Sequence, residues 1–288
     1  MEIGFIGTGV MGTGMINNLL KADVNVNVYN RTKSHADTVV KNGAHWVDTP
    51  KEIARISDTI ITIIGTPSDV KEVYFGEDGI FSGIKKDTLL IDMTTSSPDL
   101  AQQIYDESKK RSANSLDAPV SGGDVGAKNG TLTIMVGGDK DAFEQAMPIF
   151  NTLGSSIKLF GGPGKGQYAK MANQIMIAGT MTGMIESLVY AKKAGLDLSA
   201  VVNTIDGGAA ENWSMANYGP RILQGDFQPG FAAKHFLKDL RIALNSAKKM
   251  NIDLPATRKA FELYKSLVEE YKLGDEGTQA LIKEYQQN

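Results

Sequence analysis

Lys170 stands in a glycine-rich segment, Gly162 to Asn173, whose residue types suit acid–base chemistry. On a helix the residues three and four positions later share its face, so Asn173 and Gln174 would lie beside the Lys170 ammonium. An ammonium can stabilise and protonate an oxygen on which negative charge develops. A lone lysine on a helix is more often a solvated surface charge, so this prediction depends on the other segments of the chain.

A glycine fingerprint near the N-terminus predicts a dinucleotide-binding site. Its residues are Gly7, Thr8, Gly9, Val10, Met11 and Gly12. In such a turn the first glycine permits the bend, the second lets the backbone approach a pyrophosphate, and the third lets a helix pack on a strand. A glycine turn without a ligand is the alternative. The cofactor site is favoured because the fingerprint follows a strand-like run and opens a helix.

The end of the second predicted strand indicates which cofactor is preferred. An NAD-preferring site usually presents a carboxylate to the ribose there, whereas this chain has Asn30, Arg31 and Thr32. Arg31 can form charge-assisted hydrogen bonds to a 2′-phosphate, and Asn30 and Thr32 can add neutral ones. The sequence therefore predicts a preference for NADP, with NAD as a possible cofactor. A solvated Arg31 without this role is the alternative.

A second glycine loop offers a site for an anionic substrate. Ser121, Gly122 and Gly123 lie just beyond a predicted strand. Their backbone amides could surround a carboxylate, and the Ser121 hydroxyl could donate a further hydrogen bond. An isolated Ser-Gly-Gly is more often only a turn, but the nucleotide fingerprint and Lys170 favour the functional interpretation here.

Composition limits the classes of partner. The chain has 288 residues, of which 42% are hydrophobic and 22% charged, so two globular domains can each bury a core. A net charge of −3 without a long basic block argues against nucleic-acid or membrane partners and favours a small molecule. The chain contains no cysteine and shows no signal-peptide pattern, which together predict a cytoplasmic protein. His35, His45 and His235 lack metal-ligand spacing, so no metal is expected.

The elements that must position these residues follow an α/β pattern. Strands are predicted over residues 3–6, 24–29, 59–64, 89–93, 116–118, 133–136 and 157–160, with helix starts at Thr49-Pro50 and Ser97-Pro98. Later residues read as helices over 167–194, 197–206, 234–250 and 255–271. We therefore predict a Rossmann-type parallel-sheet domain over residues 1–162 and an all-α domain over 163–288, which provides substrate and oligomer contacts and is joined by a long interdomain helix.

Two further segments carry structural expectations. Met171, Met176, Met181 and Met184 are predicted to fill gaps in the core. The polar stretch from Gly274 to Asn288 is expected to pack over a neighbouring subunit, with a frayed tail as the alternative.

Taken together, these residues resemble the β-hydroxyacid dehydrogenase family, the group of 3-hydroxyisobutyrate dehydrogenase, tartronate semialdehyde reductase and glyoxylate/succinic semialdehyde reductase. The resemblance covers essentially the whole chain. Its four signatures are Gly7–Gly12 with Gly14, Asp117–Gly123, Gly161–Asn173, and Lys238-Asp239-Leu240.

The resemblance implies a role for each candidate residue. Lys170 would be the general acid in reduction and the base in oxidation, and Ser121, Gly122 and Gly123 would hold a substrate carboxylate. The remaining roles are Thr95 beside nicotinamide and substrate, Phe231 as a substrate wall, Asp239 as the partner of Lys170, and Lys238 as a cofactor contact. Many members carry Asn four residues after the lysine. This chain has Gln174 there and Asn173 one place earlier, which leaves open which amide faces the substrate.

The resulting hypothesis is an NAD(P)-dependent enzyme that interconverts a short anionic hydroxy acid and its semialdehyde. Imine reductases are an alternative from the same resemblance, but they generally replace the catalytic lysine that this chain retains. A non-catalytic NADP-binding sensor or scaffold is an alternative from another class of protein. The resemblance also implies a homodimer or homotetramer.

Overall fold

The computed structural model of the protein describes residues 2–286, and every element named here lies within them. The strands are β1 Glu2–Ile6, β2 Asn25–Tyr29, β3 His45–Trp46, β4 Thr59–Thr62, β5 Leu89–Asp92, β6 Asn114–Asp117, β7 Val120–Ser121, β8 Leu132–Gly138 and β9 Gly154–Leu159. The α-helices are α1 Val10–Lys21, α2 Asp37–Lys41, α3 Pro50–Ile56, α4 Pro67–Phe75, α5 Pro98–Lys110, α6 Gly123–Asn129, α7 Lys140–Leu153, α8 Lys165–Lys193, α9 Leu198–Asp206, α10 Trp213–Leu223, α11 Ala233–Lys249, α12 Pro255–Glu269 and α13 Ile282–Gln286. Short 3₁₀ helices span Lys33–Ala36, Ile80–Ser82 and Thr278–Leu281.

The chain forms two compact units. The first ends at Lys170 and the second begins at Met171, so the division falls inside α8 and not in a loop.

The strands of the first unit form one sheet in the order β3-β2-β1-β4-β5-β6-β8-β7, with β9 paired to β8. The pairs from β3 to β6 are parallel, whereas β8 runs antiparallel to β6 and β7. The strand order changes direction at β1 and β4. In open α/β sheets, ligands bind beyond the carboxyl ends of the strands at such a switch point.

Both faces of this sheet are covered, because successive residues of a strand point to opposite sides. In β5, Leu89 and Ile91 belong to one core cluster with α1 and α7, whereas Leu90 belongs to another with α3, α4 and α5. All four residues of β4 and of β5 are buried. Strands buried on both faces carry consecutive apolar residues, as Ile60 and Ile61 do in β4 and residues 89–91 do in β5, which is why the sequence indicates them.

The seven strands predicted from the sequence are present, with ends that differ by up to three residues. The Thr49 and Ser97 side chains accept backbone N–H groups of Glu52 and Leu100, which confirms both predicted helix starts. The prediction missed β3 and β7, which have two residues each and too little length for a periodic pattern.

The second unit is built on helices. The four helices predicted from the sequence correspond to α8, α9, α11 and α12, whereas α10 was missed because Gly219 and Pro220 interrupt its pattern. Buried residues of α8 recur every three or four positions, as the face of a helix requires. Within residues 2–286 none of the helices combines the length and the apolar character needed to cross a bilayer.

Two sequence expectations about this unit are wrong. Met171, Met181 and Met184 are buried as predicted, but the side chain of Met176 is 68% exposed, because it lies on another face of α8. The segment from Gly274 belongs to its own helical unit: Ala280 and Leu281 are completely buried there. A frayed tail is therefore wrong for these residues, whereas their packing over a neighbouring subunit stays a prediction; residues 287 and 288 lie outside those that the structure describes.

Candidate active site

The glycine turn after β1 leaves room for an anion. Gly7 has φ 107°, and a Cβ there would lie 2.1 Å from the Ile63 carbonyl oxygen, so only glycine fits. Gly9 precedes α1 without a side-chain cap, and a Cβ built on it would meet no atom within 4 Å. The first turn of α1 contains no acidic residue. An uncapped helix start with open space around its backbone fits the pyrophosphate of a dinucleotide.

Thr8 adds a second observation that fits an anionic ligand. Its hydroxyl is buried without a hydrogen-bond partner among the described residues. Its backbone N–H donates to Asn30 Oδ1 at 3.1 Å, which ties the turn to the end of β2. A buried hydroxyl is normally hydrogen-bonded, so this one is suited to a ligand oxygen.

Of the residues after β2, Asn30 has a structural role and Arg31 is an exposed cation. Asn30 accepts the Thr8 N–H and donates to the Thr32 carbonyl at 2.9 Å, so its amide holds the two loops together. The Arg31 side chain is 84% exposed and pairs with Asp69 Oδ1 at 2.9 Å. Exposed ion pairs contribute about 0–1 kcal/mol, so Arg31 can exchange Asp69 for a phosphate.

Asp69 is held by several donors. Burial opposes ionisation of this carboxyl, but hydrogen bonds from Thr66 and Arg31 outweigh it and lower its pKa. Thr66 and Asp69 also form a capping box at the start of α4. The carboxylate therefore has a structural partner in Thr66 when Arg31 moves away.

The predicted substrate loop follows β7, which pairs Ser121 with Thr133 of β8. Gly122 and Gly123 have φ of 125° and 62°, a region that other residues rarely adopt. Ser121 and Gly123 are partly buried and Gly122 is exposed, so backbone amides of this segment are accessible to a ligand.

Thr95 lies in the loop that follows β5. Its neighbours Thr94 and Ser96 are each 1% exposed, whereas Thr95 itself is partly exposed. The Thr94 N–H donates to Asp92 Oδ1 at 3.1 Å, and the Thr94 hydroxyl accepts the Ile64 N–H at 3.1 Å. Hydrogen bonds therefore hold the backbone of this loop in place, and of Thr94, Thr95 and Ser96 only Thr95 is partly exposed to solvent.

Lys170 is buried, with 6% of its surface exposed, which separates it from an ordinary solvated lysine. It lies in the second turn of α8, and Asp117 anchors the start of that helix. Asp117 Oδ1 accepts the Gly164 N–H at 2.7 Å, and Oδ2 accepts the Gln167 N–H at 2.8 Å. The end of β6 thus fixes the first turn of the helix that carries Lys170.

The Asp117 carboxyl has an unusual protonation equilibrium. Burial raises its pKa to about 7, and the backbone hydrogen bonds from Gln167 and Gly164 oppose that shift only in part. The carboxyl therefore titrates near neutral pH.

Gln167 connects α8 to the Thr95 loop. Its side-chain oxygen accepts the Ser96 N–H at 2.9 Å, and its side-chain nitrogen donates to the Thr94 carbonyl at 2.8 Å. Neither Gln167 nor the anchoring role of Asp117 was predicted from the sequence. Its spacing could have indicated Gln167, because a residue three positions before Lys170 lies on the same face of the helix.

The candidates on the second unit form a chain of hydrogen bonds. Asn173 Nδ2 donates to Gln174 Oε1 at 2.8 Å, and Gln174 Nε2 donates to Asp239 Oδ2 at 2.6 Å. Lys238 Nζ lies 3.1 Å from Asp239 Oδ1. Gln174 and Asp239 are buried and Asn173 is partly exposed. The Gln174 amide is therefore occupied by its hydrogen bond to Asp239, and the Asn173 amide is more accessible to a ligand.

Phe231 precedes α11 and packs edge-on against Phe236 at 5.8 Å between ring centroids. It is partly buried at the border of the helical core. The predicted pairing of Lys170 with Asp239 stays a prediction. Among the described residues no group of three or more His, Asp or Glu side chains is arranged to hold a metal ion.

Comparisons with known proteins match both parts of the chain. Residues 2–162 match the family model of the NAD binding domain of 6-phosphogluconate dehydrogenase. Residues 164–285 match the family model of the NAD-binding domain of NADP-dependent 3-hydroxyisobutyrate dehydrogenase.

Relatives with assigned names are similar in sequence to nearly the whole of this chain. A probable 3-hydroxyisobutyrate dehydrogenase-like 1 from Arabidopsis thaliana is 48% identical over 98% of this chain and 84% of that protein. The 2-hydroxy-3-oxopropionate reductase of Escherichia coli is 39% identical over 92% of this chain and 90% of that protein. The solved structure of Mycobacterium tuberculosis 3-hydroxyisobutyrate dehydrogenase with L-serine has a TM-score of 0.90, 28% identity and 98% coverage of both chains. The chain therefore belongs to the β-hydroxyacid dehydrogenase family of NAD(P)-dependent oxidoreductases.

Proposed function

We propose that the protein interconverts a short 3-hydroxy, or 2- or 4-hydroxy, carboxylic acid and its semialdehyde, with NADP preferred over NAD and Lys170 as general acid and base. The observation that carries this proposal is the buried Lys170 on a helix whose start is anchored to β6 and to the Thr95 loop. A buried ammonium acts in a low dielectric, where it stabilises a developing negative charge more strongly than in water.

The bound cofactor would supply the hydride acceptor or donor for the substrate carbon. The start of α1 and the Thr8 hydroxyl would bind its pyrophosphate, and Arg31 would bind a 2′-phosphate. We assign these contacts to residues 1–162 and the remaining substrate and oligomer contacts to residues 163–288.

Lys170 would protonate the substrate oxygen during reduction and take the proton back during oxidation. Ser121, Gly122 and Gly123 would bind the substrate carboxylate, which fixes the distance between that group and the reacting carbon. Thr95 would contact substrate and nicotinamide, and Phe231 would border the substrate. Asn173 would orient the substrate oxygen, because Gln174 is committed to Asp239.

The relatives' names support a substrate that carries both a carboxylate and a hydroxyl or aldehyde group. The cysteine-free sequence fits a reducing compartment, and we place the enzyme in the cytoplasm.

We also propose that the protein forms a homodimer or homotetramer. The exposed face of α8 supports this: Met176 and Tyr190 project from it, and Trp213 at the start of α10 is also exposed. A groove of about 390 Å³ beside Met176 includes Gly179 and Gly183. Exposed apolar surface of this kind is typical of an interface.

Purified protein assayed with NADPH and NADH tests the proposed reaction. The substrates are glyoxylate, succinic semialdehyde, tartronate semialdehyde and methylmalonate semialdehyde. We expect NADPH-preferring turnover of at least one of them. Cofactor binding without turnover of any would contradict the substrate class and favour an imine substrate or a sensing role.

A further inference from the structure

The Gln167 side chain is completely buried and bonds to a single short loop. Its oxygen accepts the Ser96 N–H and its nitrogen donates to the Thr94 carbonyl, at 2.9 and 2.8 Å. These two groups flank Thr95 on either side. One amide therefore fixes both peptide units that set the direction of Thr95.

The pattern requires an uncharged side chain of this length that carries both a donor and an acceptor. The same side chain must offer a donor and an acceptor at once, which glutamine provides. An ionised glutamate would place an acceptor against the Thr94 carbonyl, and methionine would leave two buried backbone groups without partners. Each such unsatisfied group destabilises the fold by about 1–3 kcal/mol.

The loop is held from its other side as well. Thr94 is bonded to Asp92 and to the backbone of Ile64, which join the loop to β5 and β4. The Gln167 side chain joins the same loop to α8. Its amide therefore connects the loop to the helix through one donated and one accepted hydrogen bond.

Gln167 also lies one helical turn before Lys170. Residues three apart on a helix are neighbours on its surface. The backbone N–H of Gln167 is bonded to Asp117, so this turn cannot shift without breaking a buried hydrogen bond. The same residue thus fixes the Thr95 loop and the turn that leads to Lys170.

We propose that Gln167 is a positioning residue that sets the location of Thr95 relative to Lys170, a role that rests on the function proposed above. It acts through those residues and does not itself contact the substrate. A displacement of about 1 Å in an active site can reduce turnover by about 100-fold, so loss of this connection should affect kcat more than cofactor binding.

Three variants test this proposal: Gln167→Met, Gln167→Glu and, as a matched control, Gln145→Met at an exposed position of α7. Hydrogen exchange of the peptide that contains Ser96 reports the connection without any assay of activity. In Gln167→Met we expect faster exchange there, a fall in kcat of about 10-fold, and a cofactor Kd within about twofold of the unmodified protein. The control should change none of these.

Gln167→Glu separates positioning from simple destabilisation. A protonated glutamate offers one O–H donor and one carbonyl acceptor, which matches Thr94 and Ser96, whereas the ionised form does not. The kcat of Gln167→Glu, divided by that of the unmodified enzyme, should therefore rise as the pH is lowered. The same ratio for Gln167→Met should not change with pH. All values are expressed per folded site, counted by cofactor binding.

Unchanged exchange at Ser96 in Gln167→Met overturns the connection itself. Faster exchange with unchanged kcat, or a Gln167→Glu kcat as low as that of Gln167→Met at every pH, overturns the positioning role. Absence of turnover in the unmodified protein is a different result, because it contradicts the proposed function whatever Gln167 does.

Discussion

Asp117 Oδ2 accepts the backbone N–H of Gln167 at 2.8 Å, so the last residue of β6 holds the first turn of the helix that carries Lys170. Asp117 Oδ1 binds Gly164 in the same way. A carboxylate that accepts two backbone N–H groups satisfies donors that a helix start otherwise leaves free. This contact relates strand and helix within the first unit.

The raised pKa of Asp117, about 7, predicts a stability that depends on pH. Between its usual value of 3.8 and 7 the folded protein holds the proton more tightly than the unfolded chain. The contribution of the Asp117 carboxyl to the free energy of unfolding is therefore fully present below pH 3.8. It declines as the pH rises toward 7, by at most about 1.4 kcal/mol per pH unit.

Urea unfolding of the unmodified protein and of Asp117→Asn between pH 4 and 8 measures this effect. The difference between their free energies of unfolding should change with pH as described. Asp141→Asn, at an exposed position of α7, is the control and should show no such trend. A difference for Asp117→Asn that is constant across the range would contradict the assignment.

Arg31→Ala should weaken NADPH binding by about 10-fold and leave NADH binding nearly unchanged, because it removes a charge-assisted contact to the 2′-phosphate. Fluorescence titration of each reduced cofactor measures both affinities. Lys21→Ala, at an exposed position at the end of α1, controls for the loss of one positive charge. Equal losses for both cofactors would show that Arg31 does not recognise the phosphate.

Asn173→Ala and Gln174→Ala should have different effects. Gln174 donates to the buried Asp239 carboxylate, so its loss should lower the free energy of unfolding by about 1–3 kcal/mol. Asn173 is more exposed, so its loss should raise KM for the hydroxy acid with little change in stability. Denaturant unfolding and steady-state kinetics separate the two, and the reverse pattern would assign the substrate contact to Gln174.

Met176→Asp should lower the mass of the assembled protein, because a charge would be buried without a partner if the α8 face is an interface. Light scattering coupled to size-exclusion chromatography measures the mass. Ser199→Asp, at an exposed position of α9, is the control. An unchanged mass for Met176→Asp would place the interface elsewhere or show that the protein is a monomer.

Local patterns were enough to predict most of the fold. The apolar runs of β4 and β5, the caps at Thr49 and Ser97, and the glycine turn at Gly7 each depend on neighbours within a few residues. The antiparallel β8 could not be predicted in the same way, because strand direction depends on how a later segment returns to the sheet.

Contacts between distant segments limited the prediction of the site. Gln167 bonds to residues 71 and 73 positions away, and Asp117 to residues 47 and 50 positions away. The pairing of Arg31 with Asp69 spans 38 positions. No spacing along the chain reports such contacts, so the sequence indicated the loops of the site but not the side chains that connect them.

Lys170→Ala tests the central claim most directly, with Lys192→Ala, an exposed lysine on the same helix, as the control. Turnover of the best hydroxy acid or semialdehyde and the Kd for NADPH are measured for each. The proposed mechanism predicts a kcat lower by about 100-fold or more in Lys170→Ala, with cofactor binding retained and the control unchanged. Turnover of Lys170→Ala equal to that of the unmodified enzyme would contradict the role of Lys170 as general acid and base.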